Sequence, residues 1–192
     1  MENSTAPTKG NLINAKKSLS LAKVGYELMD KKRNILVREM MTLIDKANEL
    51  QGKIDYAYSD AYKALQRANI TLGFCKDLAQ SVPEEKGLSL NYRSIMGVEL
   101  PQINLKNDDK LHLHYGLNVS NIALDEVYSK FHQVKILTAS LAEIENSVYR
   151  LAIAIKKSQK RANALQNIII PKLESQISNI TESLEEKDRE EF

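Results

Sequence analysis

The sequence contains one cysteine, Cys75, and no tryptophan. A single thiol excludes an internal disulfide and leaves out the second sulfur that a redox pair or a cysteine zinc site requires. Seven glycines, four prolines and 6% aromatic residues in 192 positions are few, whereas compact β-rich or loop-rich enzymes use more of each. The scarcity of glycine, proline and aromatic residues disfavours such an enzyme. The single cysteine favours a reducing compartment.

Long apolar runs and phosphate-binding motifs are also missing. No stretch approaches the roughly 18 consecutive apolar residues of a membrane span, and residues 1–5 lack the basic-then-apolar order of a signal peptide. Neither Gly-x-x-x-x-Gly-Lys nor Gly-x-Gly-x-x-Gly occurs, so we expect the chain not to bind ATP by itself. The prediction is a cytoplasmic protein without a cofactor and without direct membrane insertion.

Charge is nearly balanced, because 27 Lys and Arg face 25 Asp and Glu, for a net charge of +2. Bulk electrostatics therefore give no argument for nucleic acid binding. The distribution is uneven, since residues 149–173 hold six cations and no acid, while residues 174–191 have a net charge of −5. A solvated coiled-coil face explains this basic belt, and nucleic acid is disfavoured because no aromatic residues are interleaved.

Residues 8–79 contain no proline and follow the 3,4 spacing of a coiled coil. With position a at residue 12 and position d at residue 15, sixteen of the eighteen a and d residues up to residue 71 are apolar. Sustained heptads of this kind predict a long coiled-coil helix. Arg33 is an exception at position a, and it either marks the register or extends its charged end into solvent.

A second long helix is predicted from near Ser120 towards the C-terminus. Its apolar residues keep the 3,4 spacing from Leu137 to Ile169. The spacing then changes to consecutive fours close to Pro171, a residue that removes one backbone hydrogen bond. We predict a bend or a phase shift of the helix at Pro171.

The segment between the helices alternates apolar and polar residues twice. The apolar residues are Ile95, Val98 and Leu100, and then Leu111, Leu113 and Tyr115. Alternation of period two is typical of strands, and residues 106–110 are turn-forming types. We predict a short β-hairpin with its turn at 106–110, and Pro83, Gly87, Gly97 and Pro101 are the prolines and glycines expected in a non-helical segment that contains a turn.

Two long helices joined by a shorter segment most economically fold back on each other. The predicted fold is dominated by α-helix: a long antiparallel left-handed two-helix coiled coil, with a short β-hairpin and a small helical connection in the middle of the chain. Residues 1–80 form the N-terminal helix, residues 81–119 the connection with the hairpin, and residues 120–192 the C-terminal helix, kinked near Pro171.

Few residues indicate chemistry. His112 and His114 share one face of a predicted strand, but His132 is the only further imidazole, so a solvated strand face is favoured over a metal site. Tyr56 and Tyr62 are candidate docking aromatics, with a packing role as the alternative. No catalytic, metal or cofactor site is predicted.

Three ordered segments carry a family resemblance. Leu21–Arg33 reads Leu-Ala-Lys-Val-Gly-Tyr-Glu-Leu-Met-Asp-Lys-Lys-Arg, Ser94–Pro101 reads Ser-Ile-Met-Gly-Val-Glu-Leu-Pro, and Lys160–Glu174 reads Lys-Arg-Ala-Asn-Ala-Leu-Gln-Asn-Ile-Ile-Ile-Pro-Lys-Leu-Glu. Together they resemble the opening run, the hairpin strand and the Asn-Ala-Leu to Ile-Pro-x-Leu-Glu signature of the D-subunit family of V-type and A-type rotary ATPases. Tyr26 and Gln166 depart from the usual His and Glu.

The resemblance implies a central rotor shaft that transmits torque between the catalytic A and B hexamer and the membrane ion-translocating ring, without catalysing a reaction itself. Both termini would project into the hexamer. The other end would contact the F subunit of the rotor and the subunit that links the stalk to the ring. The complex would be cytoplasmic and peripheral to the membrane, and the choice of proton or sodium ion would belong to the ring.

The same resemblance suggests roles for individual residues. Proposed hexamer contacts are Lys156, Lys157, Lys160 and Arg161. Pro171 is the expected kink of the tip. From the heptad pattern and not from the resemblance, Arg33 is the candidate register residue. Contacts with the F subunit are expected along the coil and hairpin, at Tyr56, Tyr62, Ile95, Met96, Val98, Leu100 and Leu113.

The alternative is a structural coiled-coil scaffold that tethers partners without a motor. It would explain the heptads equally well. It has no use for the Ile-Pro pair at Ile170 and Pro171 or for the single β-hairpin, so the rotor interpretation is favoured.

Overall fold

The computed structural model describes residues 6–84, 86–105, 115–116 and 120–190. In chain order the elements are α1 (Lys9–Leu72), α2 (Lys76–Gln80), β1 (Leu88–Ile95), β2 (Val98–Leu105), α3 (Ile122–Ala164), a π-helical turn (Leu165–Ile169) and α4 (Ile170–Glu190). Long helices therefore flank a two-stranded antiparallel sheet, which confirms the predicted fold class. Within the described ranges, no helix is both long enough and apolar enough to cross a membrane.

The seam of α1 follows the predicted heptads. From Leu12 to Ala68, every residue at position a or d is buried or half-buried. All eight buried residues of the helix lie at these positions: Ala15, Ala22, Leu36, Leu43, Ile54, Ala61, Ala64 and Ala68. Burial of one 3,4 stripe is what makes this helix pair along a single face, so the predicted register of α1 is confirmed.

The chain divides into two compact units. Residues 1–38 and 152–192 form one, here the terminal unit, and residues 39–151 form the other, here the central unit. In the terminal unit Lys9 Nζ lies 3.9 Å from Asp188 Oδ1 and Lys23 Nζ lies 2.9 Å from Glu174 Oε1. Residues further along α1 therefore pair with earlier residues of α4, which is the predicted antiparallel arrangement.

Local capping ends α1 and starts α3 in the central unit. Gly73 has a φ of 77°, and its N–H donates to Asn69 O at 3.0 Å, a left-handed ending that favours glycine. Asn121 Oδ1 accepts the Leu124 N–H at 3.0 Å as the cap of α3. Asn121 Nδ2 also donates to Thr71 Oγ1 at 2.8 Å, so one side chain joins the two helix ends.

Small residues form the core next to these caps. Ala64 and Ala68 of α1 pack with Cys75, Tyr115 and residues of the first turns of α3 in one buried cluster. Alanine lets two helix backbones approach closely while keeping a high helix propensity. Cys75 is a buried packing residue whose Sγ donates to Gly73 O at 3.5 Å.

The β-hairpin is present, but its strands are not the predicted ones. β1 pairs with β2 from Leu88 opposite Leu105 to Ile95 opposite Val98, so the turn consists of Met96 and Gly97, with φ of 49° and 76°. Two positive φ values are typical of the type I′ turn, whose twist matches that of hairpin strands. The predicted continuous strand through Ile95, Val98 and Leu100 is wrong, because the turn lies inside it. The predicted turn at 106–110 and residues 111–114, which include Leu113, lie outside the described residues.

The outer edge of β2 faces α3. The Ile103 N–H donates to Glu143 Oε2 at 2.8 Å, and Arg150 Nη1 donates to Glu99 O at 3.1 Å. Pro101 lies between Glu99 and Ile103 on this edge, and as a proline it has no backbone N–H that would need a partner. Proline is tolerated at such an edge position because it removes no hydrogen bond of the ladder, which explains why Pro101 lies inside a strand.

A π-helical turn absorbs one extra residue before Pro171. The Ile170 N–H donates to Leu165 O, five residues back. Continuing the 3,4 spacing past Ile169 would place residues 172, 176, 179 and 183 in the seam. The apolar residues are instead Leu173, Ile177, Ile180 and Leu184, each one position later, and Ile180 is buried. The phase shift is therefore local, and a bend of the axis at Pro171 stays a prediction.

Candidate partner-binding surfaces

Four exposed cations lie together on the second half of α3, in the terminal unit. They are Lys156, Lys157, Lys160 and Arg161. Ser158 and Ala162 are buried between them, so the helix turns its inner face to the seam and leaves the cations outside. None of the four has an ion pair or hydrogen bond within the described residues. Their charge is therefore available to a partner.

The surrounding unit is basic as a whole. The terminal unit contains 15 Lys and Arg against 10 Asp and Glu, a net charge of +5, and the central unit has a net charge of −3. The overall value of +2 conceals this difference. A partner of the terminal unit is expected to present acidic groups, because unpaired surface charge attracts its opposite over about 10 Å.

Arg33 has partners on both sides. Its Nη2 lies 2.6 Å from Asp30 Oδ1 in the same helix, and its Nη1 donates to Gln159 Oε1 at 3.0 Å across the seam. The side chain is partly exposed, so it reaches a neighbour without burying an unpaired charge. A role of Arg33 in fixing the register stays a prediction, which the contact with Gln159 supports.

The tyrosines of α1 divide into packed and free side chains. Tyr62 packs edge-on against Phe131 with ring centroids 5.7 Å apart, and it stacks with Tyr58 at 6.1 Å. Tyr58 Oη lies 3.4 Å from Thr138 Oγ1. Tyr56 is 76% exposed, so it is the member of the group with the most area left for a partner.

The hairpin residues also differ in what they expose. Met96 protrudes at the turn, and Ile95 and Val98 are half-buried. Leu100 is 1% exposed, so its side chain packs inside the chain and is not part of the surface. The Arg150 guanidinium lies 5.6 Å from the centre of the Tyr92 ring, which together with Glu143 holds the hairpin on α3.

An exposed apolar patch at the joined helix ends was missed by the sequence analysis. Ile70, Phe74 and Ile122, here the end patch, are 84%, 96% and 87% exposed. Ile70 and Ile122 are the sequence neighbours of Thr71 and Asn121, whose side chains are hydrogen-bonded, and Phe74 follows Thr71 by three residues. Fully exposed large apolar side chains are costly in water and usually mark an interaction surface when they cluster. Two signals were present in the sequence, because Ile70 lies outside the a and d positions and Phe74 directly follows the helix-ending Gly73.

Two titratable groups of the central unit are perturbed. Burial, followed by the hydrogen bond to Asp125, raises the pKa of Tyr115 above its ordinary value of 10.0, and Tyr115 Oη donates to Asp125 Oδ1 at 2.6 Å. Hydrogen bonds to Glu126 at 2.6 Å and Asp60 at 3.0 Å raise the pKa of Lys130. Each contact joins separate parts of the central unit: Tyr115 is bound to Asp125 of α3, and Lys130 of α3 is bound to Asp60 of α1.

No group of three metal-ligating side chains occurs among the described residues. His112 and His114 lie outside those residues. The candidate surfaces for binding other proteins are the exposed cations of the terminal unit and the exposed aromatic and apolar side chains of the central unit.

Comparison with known proteins identifies the family. Residues 11–192 match the family model described as the D subunit of ATP synthase. The V-type ATP synthase D subunit of Thermotoga neapolitana is 43% identical over 191 residues, covering 98% of this chain and 94% of the relative.

Archaeal relatives extend the match. The A-type ATP synthase D subunit of Thermococcus kodakarensis is 35% identical over 190 residues, and that of Pyrococcus horikoshii is 33% identical over 193 residues, each alignment covering 97% of this chain and 89% of the relative. Near-complete coverage means that the similarity includes both long helices and the hairpin. The chain belongs to the ATP synthase D-subunit family.

Proposed function

We propose that this chain is the central stalk subunit of a V/A-type rotary ATPase and transmits torque between the catalytic A and B hexamer and the membrane ion-translocating ring. The observation that carries the proposal is the near-full-length match to D subunits of V-type and A-type ATP synthases. The chain itself is non-catalytic, needs no cofactor, and leaves ATP chemistry to other subunits.

The coiled-coil seam suits a part that must transmit torque. Each a or d side chain fills a space between residues of the facing helix, so twisting one helix about the other requires close-packed side chains to separate. Polar contacts such as Arg33 to Gln159 and Lys23 to Glu174 cross the same seam. These contacts oppose sliding of the helices in the terminal unit.

The terminal unit is the proposed contact with the hexamer. Its net charge of +5 and its unpaired cations support binding to acidic loops of the A and B subunits. Such contacts are loose enough to be exchanged as the shaft turns, because a solvated ion pair is worth only about 0 to 1 kcal/mol.

Charge reversal tests this contact. The test variant replaces Lys156, Lys157, Lys160 and Arg161 with Glu, and the control reverses four equally exposed cations of the central unit, Lys46, Lys53, Lys63 and Arg67. The belt variant is expected to bind the purified A and B hexamer at least about tenfold more weakly and to lower its ATPase turnover. Equal binding of both variants would exclude the belt as the contact.

The central unit is the proposed site of the other rotor contacts. Tyr56, Tyr62, Met96 and the half-buried Ile95 and Val98 are the candidate contacts with the F subunit, supported by the exposed area of Tyr56 and Met96. The end patch is the candidate contact with the subunit that links the stalk to the ring. Its aromatic and aliphatic side chains are of the kind that fill pockets in protein interfaces.

The proposed location follows from the proposed complex. The chain would lie in the cytoplasm, peripheral to the membrane, held there by its partner subunits.

Co-expression with the A, B and F subunits of the same source tests the function. A single complex in gel filtration whose ATPase turnover depends on this chain is the expected result. A chain that elutes alone, with no effect on turnover, would contradict the rotor function and support a tethering scaffold.

A further inference from the structure

The free edge of β1 has a defined hydrogen-bonding pattern. In an antiparallel pair, residues alternate between those bonded to the partner strand and those whose N–H and C=O groups point outward. The backbone N–H of Ile103 donates to Glu143 and the backbone O of Glu99 accepts from Arg150, so the backbone groups of both residues point away from β1. Their partners in β1 are Leu90 and Ser94. By the same alternation, Leu88 and Tyr92 also direct their backbone groups away from β2.

These outward groups have no partner among the described residues. No backbone or side-chain hydrogen bond reaches the N–H or C=O groups of Leu88, Leu90, Tyr92 or Ser94, and β1 is exposed from Leu88 to Ser94. The opposite edge of the hairpin, on β2, lies against α3. Within the part of the chain that the structure describes, the two edges of this hairpin therefore differ, since the β2 edge is covered and the β1 edge is open.

β1 also lacks the usual protection of an open edge. Proteins commonly blunt such edges with proline, lysine or a β-bulge. β1 contains neither proline nor lysine, and its register with β2 runs without a bulge from end to end. Its one cation, Arg93, is held by Glu39 at 2.9 Å. An unprotected edge of eight residues is a template for another strand.

The side chains along this edge favour a particular kind of strand. Leu88, Leu90 and Tyr92 share one face of β1 and are 47%, 51% and 57% exposed. Lys86, two residues before the strand, is exposed and has no ion pair within the described residues. The complementary segment is therefore extended, apolar at alternate positions, and acidic where it passes Lys86.

We propose that the free edge of β1 binds an extended segment of a partner subunit as a third strand. Main-chain hydrogen bonds to Leu88, Leu90, Tyr92 and Ser94 supply the pairing, and the apolar face supplies selectivity. A second copy of this chain is a poor occupant, because β1 carries no acidic residue to face Lys86. The proposal rests on the proposed function, since the rotary complex supplies the strand.

Hydrogen exchange at single-residue resolution tests the proposal. Amide exchange is compared between the isolated chain and the chain assembled with the A, B and F subunits and the linking subunit. We expect the outward amides of Leu88, Leu90, Tyr92 and Ser94 to exchange at least about 100-fold more slowly after assembly. The inward amides of Ser89 and Asn91, already bonded to β2, are the internal control and should be slow in both samples.

A proline variant separates backbone pairing from coverage of the face. Leu90→Pro removes an outward N–H and leaves the ladder with β2 intact, whereas Leu90→Thr keeps that N–H and trims the side chain. After assembly, Leu90→Pro should lose the slow exchange at Leu88 and Tyr92, and Leu90→Thr should keep it. Slow exchange at Ser89 and Asn91 shows that the hairpin remains folded in each variant.

The outcomes distinguish this proposal from the rotor function. Assembly without slowed outward amides overturns strand addition and leaves the rotor function standing. Failure of the chain to assemble overturns both. An isolated chain that is dimeric, with outward amides already slow, assigns the edge to a second copy and overturns the proposal of a partner strand.

Discussion

The hydrogen bond between Tyr115 and Asp125 is expected to make the stability of the central unit depend on pH. The pKa of Tyr115 is raised, chiefly by burial and then by the hydrogen bond to Asp125. A raised pKa in the folded state means that the contact stabilises fully below the ordinary pKa of 10.0 and that this stabilisation is lost as pH rises above it. Lys130, whose pKa is raised by Glu126 and Asp60, loses its contribution in the same alkaline range.

Replacing Tyr115 with Phe should change the pH profile of stability. At about pH 8 the variant is expected to be about 1 kcal/mol less stable, because it lacks the hydrogen bond to Asp125. Its further loss above about pH 10 should be smaller than that of the wild type, since one titrating group is gone. Urea unfolding followed by circular dichroism measures both. Tyr149→Phe, at an exposed site, is the control, and a Tyr115→Phe profile parallel to the wild type would refute the assignment.

Arg33 is the polar residue at position a whose role the sequence left open. Arg33→Leu is expected to keep or raise thermal stability, because leucine restores an apolar seam. It is also expected to allow slipped pairings of the helices, because the contact with Gln159 is lost. A cysteine pair reports the register, since a Cβ at Gly25 would lie 3.7 Å from Leu165 Cδ1. In a Cys75→Ser background, the Gly25→Cys and Leu165→Cys pair should cross-link at least about twofold less when Arg33 is Leu.

The control for that experiment is Lys31→Leu, an exposed position outside the seam. It should leave the cross-linking yield at the wild-type level. An unchanged yield in Arg33→Leu would show that the register is set by the apolar residues alone.

At the scale of elements, α1 was predictable and the hairpin was only partly so. Burial follows the heptads of α1 because one periodic signal extends over most of its length. The turn at Met96 and Gly97 was not predicted, because methionine seldom adopts positive φ, and Ile95, Val98 and Leu100 were therefore assigned to one strand. Pro101 was counted among the residues expected near a turn, because the sequence alone does not show which strand edge will face a helix.

The candidate surfaces also include one that was predictable from the sequence and one that was not. Exposed cations on α3 were predictable, since positions outside a and d face solvent. The end patch was not, because its exposure depends on where Gly73 ends α1 and where Asn121 begins α3. The spacing near Pro171 indicated a phase change, but a coiled coil can absorb one residue by unwinding or by a π turn, and local backbone hydrogen bonding selects the π turn.

Deleting one residue tests that assignment. Removal of Asn167 leaves Leu173, Ile177, Ile180 and Leu184 in the regular 3,4 phase of a plain α-helix. The deletion alone should cost about 3 kcal/mol, because Pro171 would then interrupt an α-helix without a π turn to accommodate it. Combined with Pro171→Ala, it should restore wild-type stability, measured by thermal unfolding.

Deletion of Ser178 is the matched control for the π turn. It removes an exposed residue of α4 and moves Ile180 and Leu184 out of the seam, so it should destabilise the terminal unit whether or not Pro171 is present. If the double variant lacking Asn167 were as unstable as this control, the π turn would not be holding an extra residue.

At the scale of the whole molecule, two units of opposite net charge belong to one chain with distinct exposed surfaces. The basic cations of the terminal unit and the apolar end patch of the central unit differ in chemistry, so each is expected to select a different partner. A shaft needs such a division, because torque passes through it only when separate surfaces hold the driving and the driven parts.

The end patch therefore gives a prediction for the assembled complex. Replacing Ile70 and Phe74 with Ser should leave folding intact, because both side chains are more than four-fifths exposed. It should also leave ATPase turnover of the catalytic hexamer near the wild-type level, since the terminal unit is unchanged. ATP-driven ion uptake into vesicles should fall at least about tenfold, because the proposed contact with the linking subunit would lose its apolar anchors.

The matched control is Tyr149→Ser, which removes another exposed large side chain of the central unit and should keep hydrolysis and ion uptake coupled. Hydrolysis and uptake are measured on the same vesicles, so that their ratio reports coupling independently of the amount of complex. An Ile70→Ser, Phe74→Ser variant with an unchanged ratio would mean that the linking subunit binds elsewhere on the chain. A loss of both activities would instead place the end patch in assembly with the hexamer, because a failure confined to the link to the ring leaves hydrolysis running.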